Sequence, residues 1–269
     1  MEKAIKSLIG GSIGATLLLA ASVTPIYAAA ITLTGTGTDG LQASVTFDSV
    51  VVSSTHYLQV TLTNTGTYDA SRPTDILTGV FFNIEGSNPT LTRFSATLAP
   101  GSTVKNIDPD PTNLGGEWAY KAGLSVGEFT RGISSSGLGL FGPGDRFPGL
   151  NLQGPDDPDG IQYGITTQND PDDTGAGNDN GGLLGKQMAR NSVVFLLGGI
   201  GAGFDASAAI FEVRFQYGTS LTEPSFESDY RGRSTRVPQP ASLALLVFGA
   251  LGAALVVSRR AVLSVVRSR

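Results

Sequence analysis

The sequence predicts an all-β fold, a single β-sandwich with a long loop rich in glycine and aspartate. Apolar and polar residues alternate in several short runs, so each run can present one buried and one solvated face. Between residues 31 and 236 no apolar repeat of the helical kind is sustained. Threonine and valine, which favour strands, are frequent. A body of about 200 residues can bury a core without disulfides, and the chain contains no cysteine.

The strands are expected at residues 41–48, 56–63, 76–84, 91–98, 193–197 and 211–217. Residues 193–197 are continuously apolar, which predicts a central strand covered on both faces. A jelly roll is one candidate topology for the sandwich. The Gly-x-Gly-x-x-Gly pattern at residues 35–40 precedes an alternating run instead of a helix. We therefore expect a turn there and no dinucleotide site.

The first 30 residues have the pattern of a secretory signal peptide. Lys3 and Lys6 supply the positive start, and residues 8–21 are apolar or small. Ala28 and Ala30 are the small residues that signal peptidase requires, so we expect cleavage after Ala30. Residues 31–230 would then form one exported domain. An uncleaved membrane helix is the alternative interpretation of this segment.

Residues 231–269 combine a proline motif, an apolar run and a basic pair. The 17 residues from 241 to 257 carry no charge. As a helix they would reach about 25 Å, the short limit for crossing a bilayer core of about 30 Å. The positive-inside bias would keep the basic pair cytoplasmic and the main domain outside. The residues that define the motif and the pair are Val237, Pro238, Gln239, Pro240, Arg259 and Arg260.

This C-terminal arrangement resembles the PEP-CTERM sorting signal of Gram-negative bacteria. The resemblance implies recognition and processing by an exosortase, a membrane cysteine protease, and transient residence in the inner membrane. It covers about a tenth of the chain. Two departures are visible: Gln239 replaces the acidic residue of the motif, and residues 261–269 form a longer tail than usual. The alternative is a plain single-pass C-terminal anchor.

The charge and composition exclude several classes of function. Residues 31–236 contain 12 basic and 22 acidic side chains, a net charge of −10. We therefore expect no nucleic-acid partner, because phosphate contacts need clustered cations. The absence of cysteine excludes thiol catalysis, zinc ribbons and iron–sulfur centres. The single histidine, His56, argues against multi-histidine metal sites.

The acidic segment from 156 to 179 is the one cluster with recognisable ligand chemistry. Calcium takes six to eight oxygen ligands on a backbone that can bend. No tandem nine-residue repeat and no EF-hand glutamate are present, so a solvated loop remains the alternative. Calcium is the only cofactor that the sequence suggests. The seven carboxylates are Asp156, Asp157, Asp159, Asp170, Asp172, Asp173 and Asp179.

Trp118, the only tryptophan, could stack on a sugar ring or belong to the core. The sequence as a whole predicts a non-enzymatic protein of the cell surface or extracellular matrix. Signal peptidase and an exosortase would process it, and extracellular polysaccharide is a candidate partner. A carbohydrate- or calcium-binding module sorted by the same route is the alternative. A glycan hydrolase using two carboxylates is a third hypothesis, for which the sequence selects no pair.

Overall fold

The computed structural model describes residues 29–86, 88–107, 110–154, 158, 160–171 and 182–229. Twelve strands, one short α-helix and three single-turn 3-10 helices form the regular structure of these residues. In chain order the strands and the α-helix are β1 Ile31–Thr36, β2 Gln42–Val52, β3 Thr55–Asn64, β4 Leu77–Phe82, β5 Thr92–Leu98, β6 Ala119–Val126, β7 Phe129–Ser134, β8 Ile165–Thr166, β9 Ala189–Arg190, β10 Ser192–Gly198, α1 Ala206–Ala209, β11 Val213–Tyr217 and β12 Ser225–Glu227.

The strands form two sheets, which confirms the all-β prediction. The first sheet has the order β1-β2-β3-β10-β5, and every pair in it is antiparallel. The second has the order β12-β11-β4-β7-β6, also antiparallel. The short strand β8 pairs with β4 and, in parallel, with β9. The chain passes repeatedly between the sheets, so non-local contacts hold the body together.

One apolar core contains side chains from both sheets. Strand β2 shows how the alternation builds it: Ala43, Val45 and Phe47 are buried, and the residues between them are only half-buried. The ring of Phe47 in the first sheet lies 5.1 Å from that of Phe82 in the second. Burying a large apolar side chain contributes about 1.5–3 kcal/mol. The two sheets are therefore held face to face by the buried side chains that alternate along their strands.

Strand β4 of the second sheet is buried on both faces, and strand β10 of the first sheet is not. All six residues of β4 are buried, because Phe81 points away from the first sheet into a separate apolar cluster with Phe141. Strand β10 lies between β3 and β5, as predicted, but Val194 and Leu196 are only half-buried. Their cross-strand neighbours are the polar side chains of residues 59, 61, 95 and 97. The prediction of a doubly covered strand was therefore wrong for β10, and β4 has that character.

The predicted strands are confirmed at β2, β3, β4, β5, β10 and β11. The turn expected at residues 35–40 is a hairpin between β1 and β2, with Asp39 and Gly40 at positive φ, and it leads into a strand. Gly35 and Thr36 belong to β1 instead of the turn. In the described part of the chain no helix is long and apolar enough to cross a membrane. The helix predicted at 241–257 and the sorting motif lie outside the described residues.

Candidate functional site: a cationic groove and a buried ion pair

A groove opens between the edge strands of the two sheets. Strand β5 ends the first sheet and β6 ends the second, and the groove between them encloses about 580 Å³. Its cationic side chains are Arg93 on β5, Lys121 on β6 and Arg146 on the segment that follows a short turn at Pro143–Asp145. Three of the 12 basic residues between positions 31 and 236 therefore meet in one place.

One carboxylate lies among these cations. Asp145 is 3.7 Å from Arg93 Nη1 and 3.2 Å from Lys121 Nζ, and the amide of Gly142 donates to it. Arg93 and Lys121 keep 33% and 41% of their side chains exposed. Exposed pairs of this kind contribute at most about 1 kcal/mol each. The groove therefore keeps an excess of positive charge that an anionic ligand can reach.

Lys105 and Asp170 form an ion pair that is fully buried. Both side chains have 0% exposure, and Lys105 Nζ contacts Asp170 Oδ2. The other carboxylate oxygen, Oδ1, accepts a 2.7 Å hydrogen bond from the amide of Ala70. Two charges without water are costly to bury, so the pair depends on close contact and on these hydrogen bonds.

The backbone on both sides of this pair is also fixed. The amide of Lys105 donates to Met188 O at 2.9 Å, and the guanidinium of Arg190 donates to Asp170 O at 2.8 Å. Ala70 and Met188 belong to a third apolar cluster. The pair thus connects the segment after β5 of the first sheet with the segment after β8 of the second.

Asp170 is the only one of the seven predicted calcium ligands within the described residues, and the structure places it in this pair. The other six lie outside those residues: Asp156, Asp157, Asp159, Asp172, Asp173 and Asp179. In the part of the chain that the structure describes, no group of three or more ligating side chains is gathered for a metal. Since ion pairing and the Ala70 amide occupy its carboxylate, Asp170 differs from a loop carboxylate open to a cation.

Trp118 lies in the core, which was one of the two alternatives for this residue, and the other alternative, stacking on a sugar, is corrected. Its side chain has 0% exposure. The indole Nε1 donates to Tyr163 O at 3.1 Å, and the ring lies 5.0 Å from Phe195. A ring without accessible surface offers no face to a ligand.

Burial raises the pKa values of Glu117 and of several tyrosines. Glu117 accepts hydrogen bonds from the amides of Leu152 and Gln153, but desolvation outweighs them and raises its pKa. Burial raises the pKa of Tyr68 to about 12, and likewise that of Tyr163. Burial also raises the pKa of Tyr120. Through these two hydrogen bonds, Glu117 holds the loop at residues 152–153 against the body of the fold.

Neither the groove nor the ion pair was found from the sequence. The basic residues of the groove are separated by more than 20 positions, and the two members of the ion pair by 65. No local pattern links such residues, since only the crossing between sheets brings them together. Comparison of the chain with protein-family models, curated proteins and solved structures found no match.

Proposed function

We propose that this chain is an exported, non-enzymatic protein of the cell surface or extracellular matrix, sorted and cleaved by an exosortase. The observation that carries the proposal is the C-terminal succession of Val237-Pro238-Gln239-Pro240, a charge-free run and Arg259-Arg260. Export through the inner membrane would begin with the signal peptide of residues 1–30, and the C-terminal helix would hold the protein in that membrane until processing.

The ends of the folded body are compatible with cleavage at both sites. Ala30 is exposed and directly precedes β1, so a cut after it leaves every strand intact. At the other end, the amide of Asp229 donates to Thr34 O in β1 at 2.7 Å. The β-sandwich therefore has its edge strand and its final segment paired before the sorting signal begins. Its strand order starts with a β1-β2-β3 meander, so the jelly-roll subtype is not part of the proposal.

The mass of the mature protein tests this proposal. We expect a chain that begins at Ile31 and ends near Val237–Pro240 in cells that contain the exosortase. In cells without it, the chain should extend to Arg269. A double variant, Pro238→Ala with Pro240→Ala, should retain the tail even when the exosortase is present. Pro224→Ala, which changes a proline of the body outside the motif, is the matched control and should be processed. A tail that persists to Arg269 in both strains contradicts sorting.

The groove favours carbohydrate binding as a second candidate function. An excess of cations is concentrated there although the exported body carries a net charge of −10. Acidic polysaccharide would provide complementary charge, and charged surfaces of this kind accelerate association. This candidate uses the same export and sorting route.

Affinity electrophoresis in gels containing polygalacturonate tests the groove. Retardation should fall several-fold in Lys121→Gln, because a charge-assisted contact of about 1 kcal/mol is lost. Lys186→Gln removes the same charge outside the groove and should behave like the unaltered protein. Equal retardation of both variants, or equal retardation in neutral dextran, contradicts a groove that is specific for acidic polysaccharide.

Calcium binding by the acidic segment remains an alternative that depends on the carboxylates outside the described residues. If calcium binds, it should raise Tm, and Asp157→Ala should abolish the rise. Asp170→Ala should lower Tm without calcium and leave the calcium-dependent rise in place, because that carboxylate is held by Lys105. An unchanged Tm with calcium contradicts this alternative. Turnover of a glycan, lost on changing one carboxylate, would support the hydrolase hypothesis instead.

A further inference from the structure

Lys105 and Asp170 bring an amine and a carboxyl group together where water is excluded. Both side chains have 0% exposure and are in direct contact. As ions they lose hydration that their mutual attraction only partly replaces. As a covalent amide they would carry no charge, and the cost of burying two ions would disappear.

We propose that Lys105 Nζ and Asp170 Cγ become joined by an intramolecular isopeptide bond. The two functional groups are those that an amide requires. Their segments are already fixed by the hydrogen bonds from Lys105 to Met188 and from Arg190 to Asp170. Groups held in contact by a rigid fold react as if at very high concentration.

The two carboxyl oxygens of Asp170 have different surroundings, which suit the two roles that the reaction needs. Oδ1 accepts the Ala70 amide at 2.7 Å, so a hydrogen-bond donor is in place where negative charge develops during attack on Cγ. Oδ2 contacts Lys105 Nζ and can receive protons directly from the nitrogen. Oδ1 becomes the amide oxygen, and Oδ2 is the oxygen that leaves.

The reaction balances without a co-reactant. A proton passes from the Lys105 ammonium to Oδ2, which leaves a neutral amine and a carboxylic acid. The amine lone pair attacks Cγ and forms the new C–N bond. A second proton moves from nitrogen to Oδ2, the Cγ–Oδ2 bond breaks, and one water departs. No atom changes oxidation state, so the bond can form in an oxidising or a reducing compartment.

The product would tie the two sheets together. Lys105 follows β5 of the first sheet, and Asp170 follows β8 of the second. The bond would close a loop spanning 65 positions, which includes β6 and β7. A chain without cysteine has no disulfide with which to close such a loop. The isopeptide bond would serve that purpose.

Digestion of the denatured, full chain by trypsin, followed by tandem mass spectrometry, tests the proposal. Trypsin does not cut after a lysine whose amine is acylated. With the bond, residues 94–121 and 147–186 should appear as one branched species, lighter by one water than the two separate peptides. Without it, cleavage after Lys105 should release residues 94–105 and 106–121.

The controls separate a cross-link from incomplete digestion. Cleavage after Lys121 and Lys186 in the same sample reports that trypsin was active. Lys105→Arg keeps a basic side chain that cannot form this bond, and Asp170→Ala removes the carboxyl group, so each should abolish the branched species. Because the protein is denatured before digestion, neither variant has to fold. Wild-type protein that yields the separate peptides, or that resists cleavage at Lys105 without a branched species, overturns the proposal.

Discussion

Replacing Trp118 by alanine should destabilise the protein strongly, because the side chain belongs to the core. The indole is fully buried and contacts Phe195 at a ring distance of 5.0 Å. Removing a buried aromatic side chain of this size costs about 3–5 kcal/mol. The substitution also leaves Tyr163 O without the 3.1 Å hydrogen bond from Nε1, an additional cost of about 1–3 kcal/mol if the oxygen stays buried.

The resulting shift is large enough for thermal unfolding to measure. In a domain of this size, 1 kcal/mol corresponds to about 2–4 °C in Tm. The total of about 4–8 kcal/mol should therefore lower Tm by about 8–32 °C in Trp118→Ala. Trp118→Phe keeps an aromatic ring beside Phe195 and loses mainly the hydrogen bond and some volume, so its shift should be markedly smaller.

A second aromatic residue provides the control. Phe94 is 48% exposed and its ring lies 4.5 Å from that of Tyr57, so Phe94→Ala should cost no more than about 1.5 kcal/mol. Unfolding is followed by circular dichroism, and retention on polysaccharide gels is measured for the same variants. If Trp118→Ala unfolded at the wild-type temperature and lost only glycan retention, the assignment to the core would be refuted and sugar stacking would be restored.

Three further predictions concern buried polar groups and a close backbone approach. Burial raises the pKa of Glu117, so this group stabilises the fold at pH values below its ordinary pKa, and that contribution is lost as pH rises through the raised pKa. Glu117→Gln should remove the loss and raise Tm at neutral pH. Parallel profiles of Tm against pH for the two proteins would contradict this. Tyr68, with a pKa raised to about 12 by burial, should lose its stabilising contribution as pH rises from about 10 through 12. Tyr68→Phe should make the fall in Tm over that range smaller without removing it, because the pKa of Tyr163 is raised in the same way; an unchanged profile would exclude Tyr68 as a titrating group. Gly116→Ala should cost several kcal/mol (more than about 4) because its Cβ would overlap Leu150 O, and Gly144→Ala, which meets open space, should change Tm little; equal chemical-denaturation midpoints would argue against the close packing.

The strands that could be predicted are those with a clear apolar pattern, either an alternation or a continuous run. Strands β2 and β3 alternate over 43–47 and 58–62, and both were predicted within four residues of their ends. Strand β1 was missed because Gly35 was assigned to a turn. A Cβ at Gly35 would meet the ring of Phe226, so glycine is required there by packing from β12 and not by a turn.

Strands β6 and β7 were missed for a similar reason. Gly132 in β7 lies against the ring of Phe81, where a Cβ would collide with it, and Gly123 interrupts β6 at positive φ. In the sequence both glycines suggest a loop. In the sheet, Gly132 makes room for the ring of Phe81, and Gly123 lies at an irregularity in the pairing of β6 with β7. Short-range patterns could not show this, since the side chain that demands the glycine comes from another strand.

The sheets are held together by two kinds of ionic contact, and these differ in their sensitivity to salt. In the groove, Arg93 on β5 donates to Tyr120 O on β6 at 3.3 Å and faces Asp145, all within reach of solvent. Salt screens such contacts over about 8–10 Å at physiological strength. The Lys105–Asp170 contact is water-free and is screened much less. Raising the salt concentration should therefore weaken ligand binding in the groove before it disturbs the register of the sheets. A covalent bond at the buried position would extend this difference, since it would hold the segments after β5 and β8 together while the groove exchanges its own ion pairs for those of an anionic ligand.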